Sequence, residues 1–276
     1  MTLFWKTSLW VVGIYIVTLI VVYIFQRSFL YFPPQGYVSP LVANAQKAFK
    51  ELPVKTEDGL DLTGWYAPAT SQPLTLVFFH GNGDGLRTTA FIATPYIEAG
   101  YGVLLAEYRG YSGMPGSPTE KGLYSDARAY LKALVASGVK ESDIVLFGHS
   151  LGTGVATQMA SEFHVRGLIL LAPYFSMAKM AQVRFPIFPA EWMTLDRYEN
   201  FKKIPGIHMP ILMANGTRDG VIPPSQGQQL FTLANEPKQF LSVPDGGHND
   251  LFQSSFVGVS LKWLQELSTA KTMSGK

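Results

Sequence analysis

The segment GHSLG, residues 148–152, places a serine between two glycines where two predicted elements meet. An apolar run ends at His149, and a helix-like stretch begins at Leu151. Such a sharp turn exposes the serine oxygen above the end of the strand, and the flanking glycines leave room for the neighbouring backbone. Because the bare pattern occurs by chance in roughly one chain in ten of this length, its position between a strand and a helix carries the argument. Ser150 is therefore a candidate nucleophile.

A serine nucleophile needs a base that takes its proton and an acid that orients the base. With this turn the acid should come next along the chain and the histidine last. Asp219 lies just past one predicted strand, and His248 lies just past the following one, in the loop VPDGGHND. The carboxyl ends of parallel strands meet at one edge of a sheet, so the three residues should converge. Asp245 and Asp250 flank the histidine, but they are too near in sequence to reach its Nδ1 readily, and Asp219 is favoured.

An oxyanion formed at this serine needs two N–H donors. The first candidate is the backbone N–H of Leu151, at the start of the predicted helix. The second should come from the loop HGNGDG, residues 80–85, because its glycines allow the backbone to approach a substrate closely. We assign this donor to Asn82, with Gly83 as the alternative. An ordinary glycine-rich turn is the other interpretation. The loop lacks the Lys-Ser/Thr pair of a phosphate-binding P-loop.

The elements that must position these residues follow a regular pattern. Short apolar strands alternate with helices, which predicts a mostly parallel sheet covered on both faces. Asp58-Gly59 predicts a hairpin turn ahead of it. The predicted strands are 74–80, 102–108, 143–149, 167–173, 210–216 and 238–244. The predicted helices are 86–100, 125–138, 151–163, 225–235 and 255–267.

Residues 174–205 interrupt the alternation with two prolines and many large apolar side chains. We interpret them as a short lid insertion over the strand ends, with a plain structural crossover as the alternative. Apolar walls with adaptable methionines suit an acyl chain. The predicted substrate-binding residues are Phe175, Met177, Phe185 and Trp192.

The N-terminal residues 7–25 contain no charge. As a helix they would be about 28 Å long, close to the roughly 30 Å of a hydrocarbon core. Trp5, Trp10 and Tyr23 stand near the two ends, as interfacial aromatic residues do. We predict one transmembrane anchor over residues 1–27. A cleaved signal peptide would have a shorter apolar core and a small-residue cleavage site, and a buried core helix is the third interpretation.

The net charge and the absence of cysteine exclude several classes of binding partner and of site. Apart from Lys6 and Arg27, twenty basic residues are balanced by twenty acidic ones, so nothing indicates nucleic acid or polybasic lipid binding. The absence of cysteine excludes disulfides, thiolate metal sites and a cysteine nucleophile. The expected partners are the lipid bilayer and an acyl substrate, with no cofactor and no metal. The flanking charges are nearly balanced, and we expect the catalytic domain on the non-cytoplasmic side.

The ordered motifs HGNGDG, YRGYSGMPGSPTE, GHSLG, GTRDGVIP and DGGH resemble those of the α/β-hydrolase superfamily. With the apolar leader, the chain is similar to the single-pass membrane serine hydrolases of the α/β-hydrolase-domain group. The resemblance implies an eight-stranded sheet, a Ser150–Asp219–His248 triad, and cleavage of acyl esters or thioesters without a cofactor. It assigns no role to Arg109 or Tyr111, although their loop lines the site in relatives.

The sequence thus predicts an anchor at 1–27, a tether at 28–50, a hydrolase domain at 51–268 and a tail at 269–276. The expected activity is that of a membrane-anchored serine hydrolase that acts on carboxylic esters or thioesters with an apolar acyl group. The alternatives are a serine peptidase of the same fold and a non-catalytic, membrane-tethered binding module.

Overall fold

The computed structural model describes residues 3–40, 48–253 and 255–274. It opens with one long helix, α1 (Leu3–Leu30), which ends shortly before Pro33-Pro34. Its segment Lys6–Leu30 is long and apolar enough to cross a membrane, and its most apolar window is not buried against the rest of the protein. The helix runs three residues into the predicted tether. Positions 41–47 of that tether lie outside the described residues.

The sheet contains eight strands among the described residues. They are β1 (Lys50–Lys55), β2 (Asp61–Ala67), β3 (Thr75–Phe79), β4 (Gly102–Ala106), β5 (Ile144–His149), β6 (Gly167–Leu171), β7 (Ile211–Gly216) and β8 (Lys238–Val243). Their order is β1-β2-β4-β3-β5-β6-β7-β8. β1 and β2 form the predicted hairpin, and β2 is antiparallel to β4, while every pair from β4 to β8 is parallel. The predicted mostly parallel, eight-stranded sheet is confirmed.

Helices cover both faces of this sheet. They are α2 (Leu86–Glu98), α3 (Glu120–Ala136), α4 (Leu151–Glu162), α5 (Met177–Arg184), α6 (Ala190–Met193), α7 (Asn200–Lys203), α8 (Pro224–Leu233) and α9 (Phe256–Ser274). Alternate side chains of β3 divide between two buried clusters, as the two-residue period of a strand requires. Val77 and Phe79 belong to the cluster that holds apolar residues of α3, α4 and α8. Leu76 and Phe78 belong to the cluster that holds those of α2 and α9.

Two helix boundaries differ from the prediction by five residues or more. α3 begins at Glu120, earlier than predicted, because the Thr119 side chain accepts a hydrogen bond from Gly122 N at 3.0 Å and caps the helix there. α9 continues to Ser274, well into the predicted tail, since no proline or glycine stands between residues 268 and 274. Residues 174–205 form α5, α6 and α7. Their predicted function as a lid stays a prediction.

Candidate active site

Ser150 occupies a strained turn between β5 and α4. Its backbone angles are φ 51° and ψ −117°, a region that residues other than glycine rarely adopt and that costs about 1–3 kcal/mol. The Ser150 N–H donates to Leu171 O of β6 at 3.0 Å, which fixes the turn to the neighbouring strand. The strain is thus supported by the sheet, and the side chain stands at its carboxyl edge.

The glycines of GHSLG are required by close backbone contacts. A Cβ atom at Gly148 would lie 2.6 Å from Gly152 O. A Cβ atom at Gly152 would lie 1.9 Å from Phe79 O at the end of β3. Because no side chain fits at either point, α4 packs directly on the strand that leads into the loop 80–85.

Three predicted residues meet in one continuous chain of hydrogen bonds. His248 Nε2 lies 2.9 Å from Ser150 Oγ, and His248 Nδ1 lies 2.7 Å from Asp219 Oδ2. These residues are separated by up to 98 positions in sequence. The arrangement allows the imidazole to receive a proton from the serine while the carboxylate holds the opposite ring nitrogen.

The Asp219 carboxylate is held in its charged form by hydrogen bonds. Its side chain is fully buried, and burial by itself would raise its pKa. The bond from His248 and the bonds from the N–H groups of Ile222 and Val221, each 2.8 Å from Oδ1, instead lower the pKa of Asp219 below its usual value. A buried anion with three donors is therefore fixed beside the imidazole.

The two neighbouring acids of His248 are engaged elsewhere. Asp245 is exposed and forms an ion pair with Arg218 at 2.7 Å. Asp250 Oδ1 accepts a hydrogen bond from Gly247 N at 2.7 Å and so closes the loop that carries the histidine. Of these three aspartates, the structure brings Asp219 to the imidazole.

The predicted oxyanion donors lie on the two segments that border the serine. Leu151 is the first residue of α4, so its N–H has no acceptor within the helix. The Asn82 side chain has an unpredicted role. Its Oδ1 accepts from Phe32 N and Tyr111 Oη, each at 2.8 Å, and its Nδ2 donates to Leu30 O at 2.6 Å. The loop 80–85 is thereby tied to the end of α1.

A buried ion pair lies beneath the same loop. His80 Nε2 lies 2.7 Å from Glu107 Oε1, and His80 Nδ1 lies 2.9 Å from Gly81 O. Both ring nitrogens face acceptors, an arrangement that favours the imidazole with two hydrogens and a positive charge. Burial opposes this charge, but the attraction of Glu107 and the hydrogen bonds raise the pKa of His80 above its usual value. The sequence placed His80 at the start of the loop HGNGDG and assigned it no role.

Arg109 and Tyr111 have structural roles that the sequence did not indicate. Arg109 bonds Asp126 at 2.7 Å and Asp58 at 2.6 Å, and so joins α3 to the β1–β2 turn. The Tyr111 hydroxyl holds the Asn82 amide, as described above. Neither role has a local signature, because each partner lies 17 or more positions away along the chain.

The four predicted substrate-binding residues do not share one environment. Phe175 is half-buried and stacks on Phe201 with ring centroids 4.6 Å apart, and Met177 is half-buried. Phe185 is 51% exposed and Trp192 is 89% exposed. The last two therefore do not form the walls of an enclosed pocket in this structure.

Across the described ranges, no group of three or more His, Asp or Glu side chains is placed to hold a metal ion. The expectation that the protein works without metal or cofactor stays a prediction.

Comparisons with known proteins agree with this architecture. The model of the Alpha/beta hydrolase family matches residues 76–218, which include Ser150 and end next to Asp219. An uncharacterized protein of Mycobacterium tuberculosis (strain ATCC 25618 / H37Rv) is 38% identical over 229 residues, 82% of this chain and 81% of its own. The Alpha/beta hydrolase domain-containing protein aho-3 of Caenorhabditis elegans is 32% identical over 186 residues, 67% of this chain and 55% of its own. The chain belongs to the α/β-hydrolase family.

Solved structures share the fold. The esterase Pf2001 of Pyrococcus furiosus superposes with a TM-score of 0.65 at 19% identity, over 86% of this chain and 95% of its own. The esterase domain of a Rhodothermus marinus protein gives a TM-score of 0.62 at 20% identity, over 79% of this chain and 98% of its own. At these identities the likeness concerns the fold.

Proposed function

We propose that this protein is a membrane-anchored serine hydrolase that cleaves carboxylic esters or thioesters through an acyl-enzyme. The observation that carries the proposal is the unbroken hydrogen-bond chain from Asp219 through His248 to Ser150, at the carboxyl edge of the sheet. The strained backbone of Ser150 supports it, because such conformations cluster at active sites. The buried Asp219 carboxylate supports it as well, because three hydrogen bonds fix it beside the imidazole.

In the proposed reaction, Ser150 Oγ attacks the acyl carbonyl while His248 Nε2 takes the hydroxyl proton. The N–H groups of Asn82 and Leu151 stabilise the oxyanion. The bond to the alcohol or thiol then breaks, and His248 returns the proton to that leaving group. A water molecule, deprotonated by His248, then attacks the acyl-enzyme carbonyl. The bond from the acyl carbon to Ser150 Oγ breaks, His248 returns the proton to Oγ, and the carboxylic acid is released. Asp219 accepts the Nδ1–H bond throughout and stabilises the imidazolium.

The proposed anchor is α1, whose apolar segment Lys6–Leu30 has the length that a bilayer requires. The bonds from Asn82 to Leu30 and Phe32 support a catalytic domain held close to the membrane surface. Acyl substrates are concentrated there, so we expect medium or long acyl chains to be preferred over acetyl.

Covalent labelling tests the proposal most directly. Full-length protein should react with a fluorophosphonate probe, and Ser150→Ala should abolish labelling and lower kcat on p-nitrophenyl esters by about 10⁶. Ser161→Ala is the matched control, because Ser161 is exposed on the same helix α4 and its hydroxyl donates to Gln158 O of that helix. Labelling that persists in Ser150→Ala would exclude the triad. Higher kcat/KM on aminoacyl anilides than on esters would point instead to a peptidase.

A further inference from the structure

An exposed apolar surface lies in residues 183–192, which comprise the end of α5, the connecting residues and most of α6. Its large side chains are Val183, Phe185, Ile187 and Trp192, which are 54%, 51%, 74% and 89% exposed. Among the described residues after position 50, the other exposed large apolar residues stand singly at Phe91, Val135, Val221 and Leu233, apart from Leu195, which adjoins this surface. Single apolar residues on a surface are ordinary, but a dense group marks an interaction surface.

This segment is packed against α1 at the middle of the candidate span. The Tyr15 hydroxyl donates to Ile187 O at 2.8 Å. The Tyr15 ring stacks on Phe188 with centroids 5.9 Å apart. Tyr15 lies ten residues from Phe25, the last residue of the uncharged stretch. At 1.5 Å per residue this is about 15 Å along the helix, half the thickness of a hydrocarbon core.

Where α1 approaches its C-terminal end, its contacts with the segment that follows Trp192 are polar. Gln26 donates to Met193 O at 3.2 Å and accepts from Leu195 N at 2.8 Å. Arg27 bonds Asp196 at 2.7 Å. The interface thus changes from charged at Arg27 to apolar at Tyr15, the change that a helix meets when it passes from the headgroups into the hydrocarbon.

The backbone of the segment suits a medium without water. Pro186 and Pro189 have no N–H to satisfy. Phe188 N donates to Phe185 O, and Gln182 Nε2 donates to Phe188 O at 3.0 Å. With the bond from Tyr15, several peptide groups of residues 183–192 are hydrogen-bonded within the protein. A segment in the hydrocarbon needs such bonds, because lipid offers no partners to backbone polar groups. Arg184 and Glu191, near the two ends of residues 183–192, are the charged residues of the segment. The long side chain of Arg184 can extend towards the headgroups, and Glu191 lies two positions before Met193, whose carbonyl contacts Gln26 at the polar end of the interface.

We propose that residues 183–192 are a second membrane-inserted element, which enters the hydrocarbon beside the C-terminal half of α1. The inference rests on the anchoring part of the proposed function. If α1 runs along the membrane normal, Ile187 would lie about 15 Å below the edge of the hydrocarbon at Phe25. If α1 is tilted by 40°, the depth would be about 11 Å. Phe185 and Trp192 then contact lipid, which replaces their predicted role as walls of an acyl pocket. The occupant of the apolar surface is the acyl region of the bilayer.

The absence of cysteine from the chain makes a site-specific test direct. Single-cysteine variants Ile187→Cys, Ile14→Cys and Phe91→Cys are labelled with the small fluorophore NBD and reconstituted, as full-length chains, in phosphatidylcholine vesicles. Parallel vesicles carry bromine atoms midway along the acyl chains. The three positions are 74%, 62% and 77% exposed, so labelling should disturb none of them. Ile14 reports the anchor, and Phe91, on α2, reports the water-exposed domain.

We expect bromolipid to quench the labels at Ile187 and Ile14 to a similar degree, several-fold more than the label at Phe91. Quenching at Ile14 with a water-like label at Ile187 would overturn the insertion and leave the anchor intact. No quenching at either position would overturn the anchor and the insertion together. A label at Ile187 that is shielded from water but not quenched by bromolipid would mean that a second copy of the chain covers this surface, which also overturns the proposal.

Discussion

Gly152→Ala is a sharp test of how the fold holds the reacting groups. The new Cβ would lie 1.9 Å from Phe79 O and 2.7 Å from His80 O, where real Cβ contacts are not shorter than 3.0 Å. Both obstacles are backbone atoms, so no side chain can rotate away. β3 and α4 must therefore separate by about 1 Å, and the loop 80–85 moves with the end of β3.

The expected magnitudes follow from this displacement. Overpacking of a rigid contact costs about 3 kcal/mol at the upper end of its usual range, and alanine regains about 1 kcal/mol of helix propensity. The net loss of about 2 kcal/mol should lower Tm by about 4–8 °C. A misplacement of about 1 Å between an oxyanion donor and the nucleophile should lower kcat/KM by about 10²-fold.

Gly258→Ala is the matched control, because Gly258 is also helical and a Cβ there meets nothing within 4 Å. It should raise Tm by about 1–4 °C and leave activity unchanged. The measurements are thermal unfolding in detergent and hydrolysis of p-nitrophenyl esters. A Gly152→Ala variant with the Tm and kcat/KM of the wild type would refute the reasoning.

Two further predictions concern the buried carboxylates. Asp219→Asn should lower kcat by about 10⁴, because an amide favours the wrong imidazole tautomer, whereas Asp245→Asn should stay within a few-fold of wild type; the reverse order in steady-state kinetics would identify a different acid. The raised pKa of His80 means that its ionic contribution to stability is complete below the unfolded-state value and is lost as pH rises through the folded-state value. The Tm difference between wild type and His80→Gln should therefore shrink from pH 6 to pH 9, and a difference that is constant or grows would contradict the charged pair with Glu107.

Many of the strands and turns of this fold could be predicted from short segments of the sequence. Short continuous apolar runs predicted six parallel strands within a few residues of their observed bounds, because a strand that is buried on both faces is apolar along its whole length. Glycines at 148 and 152 marked the turn at Ser150, because only glycine permits such close backbone contact. Chain order and strand ends then sufficed to nominate Asp219 and His248.

Contacts between residues that are distant in sequence could not be predicted from such local patterns. Asp219 and Asp245 both follow a strand, and the preference for Asp219 rested on the separation between each aspartate and His248 along the chain. The fold places Asp219 against the imidazole and Asp245 in an exposed ion pair. The length and hydropathy of α1 were evident from sequence. Its bond to Ile187, 172 positions away, was not.

The sequence by itself therefore determined the order of elements and the residue types at the strand ends. The sequence patterns that predicted them are formed by residues that lie close together in one strand or helix. The tertiary structure decided which polar groups pair, that the Asn82 side chain binds the end of α1, and that Trp192 faces outward at 89% exposure. Those outcomes depend on how separate elements pack. Packing brings together residues that are far apart in sequence, and such pairs leave no periodic pattern from which they could be predicted.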